Sequence, residues 1–196
     1  MGITSPLIGP LEDHRAFEVA FTVHFPSVHR FLARRVGSAL ADDLAAETFA
    51  VAFRRRASFD PSLGELRAWL FGIATNLLRA HWREEQHLLA LEARIAGEPG
   101  PPASESDDEA LARWVAPHLA RALSLLSQDQ RDVLLLHAWA DLSSEEIASA
   151  LGVPAGTIRS RLSRARAELR DYLGDFDFDR WLFAENDAPA LEDREP

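Results

Sequence analysis

The sequence predicts an all-α protein of two small helical domains joined by a flexible acidic linker. Apolar residues recur at three- and four-residue spacing along most of the 196 residues, and no segment alternates with the period of a strand. Residues 97–108 (G-E-P-G-P-P-A-S-E-S-D-D) hold Pro, Gly, Ser and acid and too little apolar surface to offset the entropy of ordering. Residues 142–170 combine a capped short helix, a glycine turn and an Arg-rich second helix. The expected division is a first domain at 11–95, a linker at 96–110, a second domain at 111–173 and an acidic tail at 174–196.

The first ten residues, with two Pro and two Gly, read as a loose leader. From 11 to about 37, Phe17, Phe21, Phe25, Val28, Phe31 and Leu32 recur at helical spacing, and Pro26 either kinks this region or divides it in two. Residues 42–57 predict a second helix with Leu44, Phe49 and Phe53 on its apolar side. Arg54, Arg55 and Arg56 fall in its last turn, where cations suit the helix dipole. Phe59-Asp60-Pro61-Ser62 predicts a turn. Residues 66–84 form the strongest helix of the domain, with Leu66, Trp69, Leu70, Ile73, Leu77 and Leu78 as a continuous stripe, and helix continues toward 95. Trp69 is assigned to the core; Asn76, Arg79 and Arg83 share another face.

Helices resume near 109. Residues 119–126 lead into Ser127-Gln128-Asp129-Gln130, a capping-box candidate, and a helix over 131–140. Ser143 with Glu146 is a second capping box, opening a helix whose apolar face is Ile147, Ala148 and Leu151. Gly152 stands where that helix must stop, because glycine takes the left-handed cap conformation at low cost. Pro154 blocks continuation and suits entry to the next helix. That helix buries Ile158, Leu162, Ala165 and Leu169. Its other faces carry Arg159, Arg161, Arg164, Arg166 and Arg170, with no acid between Thr157 and Arg166. Packing alone does not call for such a run, and the arrangement is a helix-turn-helix.

Composition bounds the rest. All 21 basic residues are Arg and there is no Cys, which excludes disulfides and thiolate metal sites and suits the cytoplasm. No run has the length of a membrane span, and the start lacks the pattern of a signal peptide. The formal net charge of −10 is unevenly spread: residues 1–86 and 117–172 are each neutral, while 87–116 carry −4 and 173–196 carry −6. Such domains hold free duplex weakly, since phosphate neutralisation supplies most non-specific affinity. Seven His are scattered without ligand spacing, and there is no phosphate loop or nucleophile motif, so neither an enzyme nor a metal or cofactor site is expected. Asp175, Asp177 and Asp179 begin like a calcium loop, but Arg180 and Asn186 occupy the positions that need Gly and Glu.

Three segments, in this order and around this linker, resemble the sigma-70 family of bacterial RNA polymerase, extracytoplasmic-function group, over roughly residues 14–172. Asp42-Asp43-Leu44-Ala45-Ala46-Glu47-Thr48-Phe49 is similar to the family's helix that docks on the clamp coiled coil of the polymerase β′ subunit. By that resemblance Asp43 and Glu47 bind core polymerase; Ala46 replaces the usual Gln. Residues 66–83 (L-R-A-W-L-F-G-I-A-T-N-L-L-R-A-H-W-R) resemble the segment that melts and holds the −10 element. Asn76, Arg79 and Arg83 are then its DNA-binding residues, with Ala80 where Asp is frequent. Residues 157–166 (T-I-R-S-R-L-S-R-A-R) resemble the −35 recognition helix, which makes Thr157, Arg159, Ser160, Ser163 and Arg164 the candidates for DNA contact. Arg161 and Arg166 are candidates for intradomain ion pairs or backbone contacts, with base contact the lesser alternative. The chemistry fits: Arg pairs bidentately with guanine, Ser and Thr hold phosphates, and unpaired bases are caught by polar and aromatic surfaces.

The resemblance implies a promoter-specificity subunit: a sigma factor with region 2-like and region 4-like domains, promoter DNA and the polymerase core (β′ clamp and β subunits) as partners, and an anti-sigma factor as a further partner in many relatives. Two features stay open. The linker acids Asp107, Asp108 and Glu109 suit either a tether or a nucleic-acid mimic in the polymerase cleft. The tail residues Phe176, Phe178, Trp181, Leu182 and Phe183 suit either a local extension of the last helix or a shield over an Arg surface. A stand-alone helix-turn-helix regulator accounts for 142–170 but not for the segments around Asp43 and Trp69.

Overall fold

The computed structural model describes residues 14–96 and 121–173, with side chains described at 14–85 and 121–172. The leader, the linker with Asp107, Asp108 and Glu109, the expected helix start near 109 and the aromatic–acidic tail lie outside the described residues. Those residues form two compact units, one built on residues 14–96 and the other on residues 121–148 and 153–173. All regular structure among them is helical.

In the first unit, α1 (His14–Val36) runs unbroken through Pro26. The sequence left a kink or a division open there. Pro26 faces solvent, so its ring meets no packed neighbour and the carbonyl it leaves unbonded can turn to water. Val28, Phe31 and Leu32 on the opposite side are fully buried and hold the helix through that point. Gly37 ends α1 with φ +80, a conformation that L side chains rarely adopt. Its N–H donates to the Ala33 carbonyl (2.9 Å), and its own carbonyl accepts from Ala41 at the start of the next helix.

The second helix, α2 (Ser38–Arg54), begins before the expected start at 42. Ala41 is fully buried, and that burial carries the helix back to the glycine. It ends at Arg54 rather than 57. A short 3-10 turn, Arg56–Ser58, follows, and Arg56 reaches back to donate to the Phe53 carbonyl at 2.8 Å. Asp60 accepts from the Ser62 N–H (2.9 Å), which forms the expected turn. The hydrogen bonds from Ser62, side chain first, hold the Asp60 carboxyl below the usual range.

Helix α3 (Leu66–Ala96) completes a three-helix core. Phe31 of α1 meets Phe71 of α3 edge-on, centroids 5.3 Å apart, and Leu70 and Leu78 are sealed beside them. Burying each such side chain contributes about 1.5–3 kcal/mol. Trp69, assigned to the core from its spacing, is half-buried at the edge, against Phe59 with ring centroids 5.3 Å apart.

In the second unit a helical segment at 121–125 precedes α4 (Gln128–Trp139), which opens on the expected capping box. The Gln130 N–H donates to Ser127 Oγ, and the Ser127 N–H donates to Gln130 Oε1 at 2.9 Å. Arg131 donates to the carbonyls of Leu123 and Leu126, securing the end of the preceding segment. Asp141 takes φ +48 at the turn after α4, where a short polar side chain is tolerated. Val133, Leu134 and Leu136 of α4 are fully buried, as are Ile158 and Leu169 on the last helix.

Candidate nucleic-acid interface

Helix α5 (Ser144–Leu151) starts on its predicted box: the Glu146 N–H donates to Ser143 Oγ (3.2 Å) and the Ser143 N–H to Glu146 Oε2 (2.7 Å). Gly152 stops it with φ +66. A Cβ there would meet nothing within 4 Å, so the glycine is required by backbone conformation rather than by space. The Pro154 carbonyl accepts from Thr157 and Ile158 and launches α6 (Ala155–Leu173).

Ile158, Leu162, Ala165 and Leu169 are buried along one side of α6. At 3.6 residues per turn, the five predicted contact residues fall on the arc which that stripe leaves free. Ser160 lies at its middle, Thr157 and Arg164 toward one edge, Ser163 and Arg159 toward the other. Arg159, Ser163 and Arg164 are exposed, while Thr157 and Ser160 are half-buried. The Ser160 hydroxyl donates to the Thr157 carbonyl at 2.9 Å. Ser163 and Arg164 have no hydrogen-bond or ion-pair partner among the described residues. Arg159 is different: its Nη1 donates to Glu145 Oε1 of α5 at 2.9 Å. Arg159 and Ser163 also line a groove with His137, Ser144, Leu162, Arg166 and Arg170. Arg161 leaves the arc, in keeping with the ion-pair reading, and pairs with Asp129 at the start of α4.

On α3, Asn76 and Arg83 are exposed and Arg79 is half-buried. Spaced by three and four residues they lie along one side of the helix. Arg83 folds back, its Nε donating to the Arg79 carbonyl at 3.3 Å. The half-buried Trp82 lies close by in sequence, with the Arg35 guanidinium 4.7 Å from its ring centre.

On α2, Asp43 and Glu47 are both exposed, one turn apart, but they are not equivalent. Glu47 Oε1 accepts from Arg54 Nη2 at 2.7 Å. Asp42 accepts from His29 Nε2 at 2.8 Å. Asp43 has no hydrogen-bond or ion-pair partner among the described residues. The partners Glu145, Arg54 and Asp129 escaped the sequence reading. Only Arg54, seven residues from Glu47 and two turns further along one helix, left a signal in spacing. Also unforeseen is the exposure of Val19, Phe21 and Val23 on α1; Phe21 lines a groove with His14, Arg15, Phe17, Glu18 and Phe53.

Burial, reinforced by the Arg67 charge, pushes the His24 imidazole below its usual value, so this side chain resists protonation. Among the described residues no cluster of His, Cys, Asp or Glu could hold a metal ion. No helix among them is long and apolar enough to cross a membrane.

Comparison with known proteins matches both units. Residues 20–87 match the family model for sigma-70 region 2, and residues 118–169 that for sigma-70 region 4. The chain is 35% identical over 166 residues to RNA polymerase sigma factor CarQ of Myxococcus xanthus, covering 84% of this chain and 92% of that protein. It is 34% identical to ECF RNA polymerase sigma factor EcfG of Rhodopseudomonas palustris, over 82% of this chain and 85% of that one. Among solved structures, RpoE of Bartonella quintana, in complex with the anti-sigma factor NepR, superposes with a TM-score of 0.62 at 26% identity, covering 83% of this chain and 99% of that one. CnrH, in complex with the cytosolic domain of CnrY, gives 0.59 at 27% identity, covering 83% and 90%. The chain belongs to the sigma-70 family of RNA polymerase sigma factors, in its extracytoplasmic-function group.

Proposed function

We propose that this sigma factor divides promoter recognition between named residues of its two units. Thr157, Arg159, Ser160, Ser163 and Arg164 read the −35 duplex, Arg159 and Arg164 through bases and the hydroxyls through phosphates. Asn76, Arg79 and Arg83 hold the melted −10 strand, Asn76 by donor and acceptor at a base edge and the two Arg along the backbone. Asp43 and Glu47 dock the chain on the clamp of the polymerase core, with Asp43 as the open charge. The protein is a cytoplasmic initiation factor rather than an enzyme, with domains at 11–95 and 111–173 joined by the linker at 96–110. The complex of RpoE with the anti-sigma factor NepR supports an anti-sigma factor as a further partner here.

The observation that carries the −35 assignment is the polar arc of α6, which lies opposite a continuous buried stripe and includes the unpartnered Ser163 and Arg164. Neutral domains favour recognition within the holoenzyme over tight binding by the free chain. The test is transcription by core polymerase plus this chain on a library randomised across both elements. Arg164→Ala should lower selectivity in the −35 element only, and Asn76→Ala should reduce permanganate reactivity of the melted −10 region. Wild-type selectivity from both variants would overturn the residue assignment.

A further inference from the structure

Glu145 lies in the first turn of α5, outside every assigned contact, yet it holds Arg159, a cation of the recognition arc. Arg159 Nη1 donates to its Oε1 at 2.9 Å, with the two side chains 61% and 69% exposed. A pair so open to water adds little to folding, because solvent screens it and ordering two long side chains offsets the attraction. Its consequence is geometric. A free Arg side chain sweeps a wide volume and takes any phosphate within reach. Arg159 is instead tethered across the turn, with one Nη1 hydrogen engaged and its remaining donors still available.

We infer that Glu145 is a positioning residue that sets base specificity by holding Arg159 in the orientation for a bidentate guanine contact and by opposing its capture by phosphate. This rests on the assignment of Arg159 to base contact. Two properties of the site make the carboxylate suited to the task. A helix N-terminus ordinarily attracts phosphate. Here Glu145 and Glu146 place carboxylates in that turn, and Glu146 is already engaged with the Ser143 N–H, so Glu145 is the one turned to the recognition helix. A phosphate approaching Arg159 therefore meets a like charge, whereas the neutral O6 and N7 edge of guanine does not. Discrimination arises because the tether penalises the sequence-independent contact and leaves the base contact intact.

The alternative role, an acid that favours the helix dipole, affects stability without touching base preference. The two separate in the full holoenzyme, using core polymerase and the full chain on a library randomised across the −35 element. Arg159→Ala should flatten preference at one or two adjacent positions. Glu145→Gln should flatten those same positions by about fivefold or more, the scale of one bidentate contact. It should also raise transcription from disfavoured sequences and leave the remaining −35 positions as in wild type. Wild-type preference in Glu145→Gln, with the Arg159→Ala effect present, overturns the inference alone, even where a thermal melt shows lowered stability. No change in Arg159→Ala overturns the base-contact assignment and the role of Glu145 with it. Glu145→Ala, scored in the same way, serves should the Gln variant fail to fold.

Discussion

Arg161 of the recognition helix and Asp129 of α4, 32 residues apart in sequence, form an ion pair with Nη2 and Oδ2 at 2.5 Å. The Arg161 side chain is 23% exposed, so it sits inside the unit while its neighbours Arg159 and Arg164 face solvent. One run of Arg thus contains cations with different tasks. We expect Arg161→Ala to destabilise the full chain by about 1 kcal/mol, a charged hydrogen bond discounted for partial exposure of Asp129. Base preference in the −35 library should not change. Thermal denaturation and selection together check this; altered selectivity at unchanged stability would refute it.

The two capping boxes are the local anchors of the second unit. Ser127→Ala and Ser143→Ala each remove the hydroxyl that accepts a first-turn N–H, that of Gln130 and that of Glu146 respectively. Each should cost about 1 kcal/mol by urea denaturation. Ile158→Ala, at a fully buried position of α6, should cost about 2–5 kcal/mol.

On α2 the open carboxylate should matter more than the paired one. Asp43→Arg should weaken assembly with core polymerase at least tenfold, the scale of a lost attraction replaced by repulsion between close charges. Glu47→Gln should have a smaller effect, because Arg54 already neutralises Glu47 in the free chain. Competition against a reference sigma factor measures both; equal losses would show that Glu47 exchanges partners freely on docking.

The half-buried imidazole of His24 predicts an acid-sensitive first unit. Its folded-state pKa lies below the ordinary 6.5, so below that pH the unfolded chain binds more protons than the folded one. Stability is intact above about 6.5 and declines as pH falls through that value toward the lowered folded pKa. In melts of the full chain, His24→Gln should lose less stability than wild type between pH 7.5 and 5.5. Parallel curves would assign the acid response elsewhere.

The helices were largely legible in the sequence because their signals are local. Ser127 with Gln130, Ser143 with Glu146, Gly152 and the stripe from Ile158 to Leu169 are all set by spacing within a few turns, and the structure forms each of them. Pro26 is instructive. The sequence marks the missing donor but not which side the ring faces, and burial of Val28 and Phe31 opposite it decides that the helix continues. Trp69 shows the reverse limit, since apolar spacing placed it in the core while packing against Phe59 leaves it half-buried at the rim.

By itself, then, the sequence determined the helical class, the caps, the two-unit layout and the polar arc of α6, because backbone periodicity and capping chemistry act over a few residues. Only the tertiary structure decided which charges are committed. Arg159 to Glu145 and Arg161 to Asp129 join different helices, the His29 ring hydrogen-bonds Asp42 between α1 and α2, and Glu47 to Arg54 spans two turns of one. Ion pairs between helices depend on how packing sets their distance and rotation, and residue spacing along the chain does not encode either.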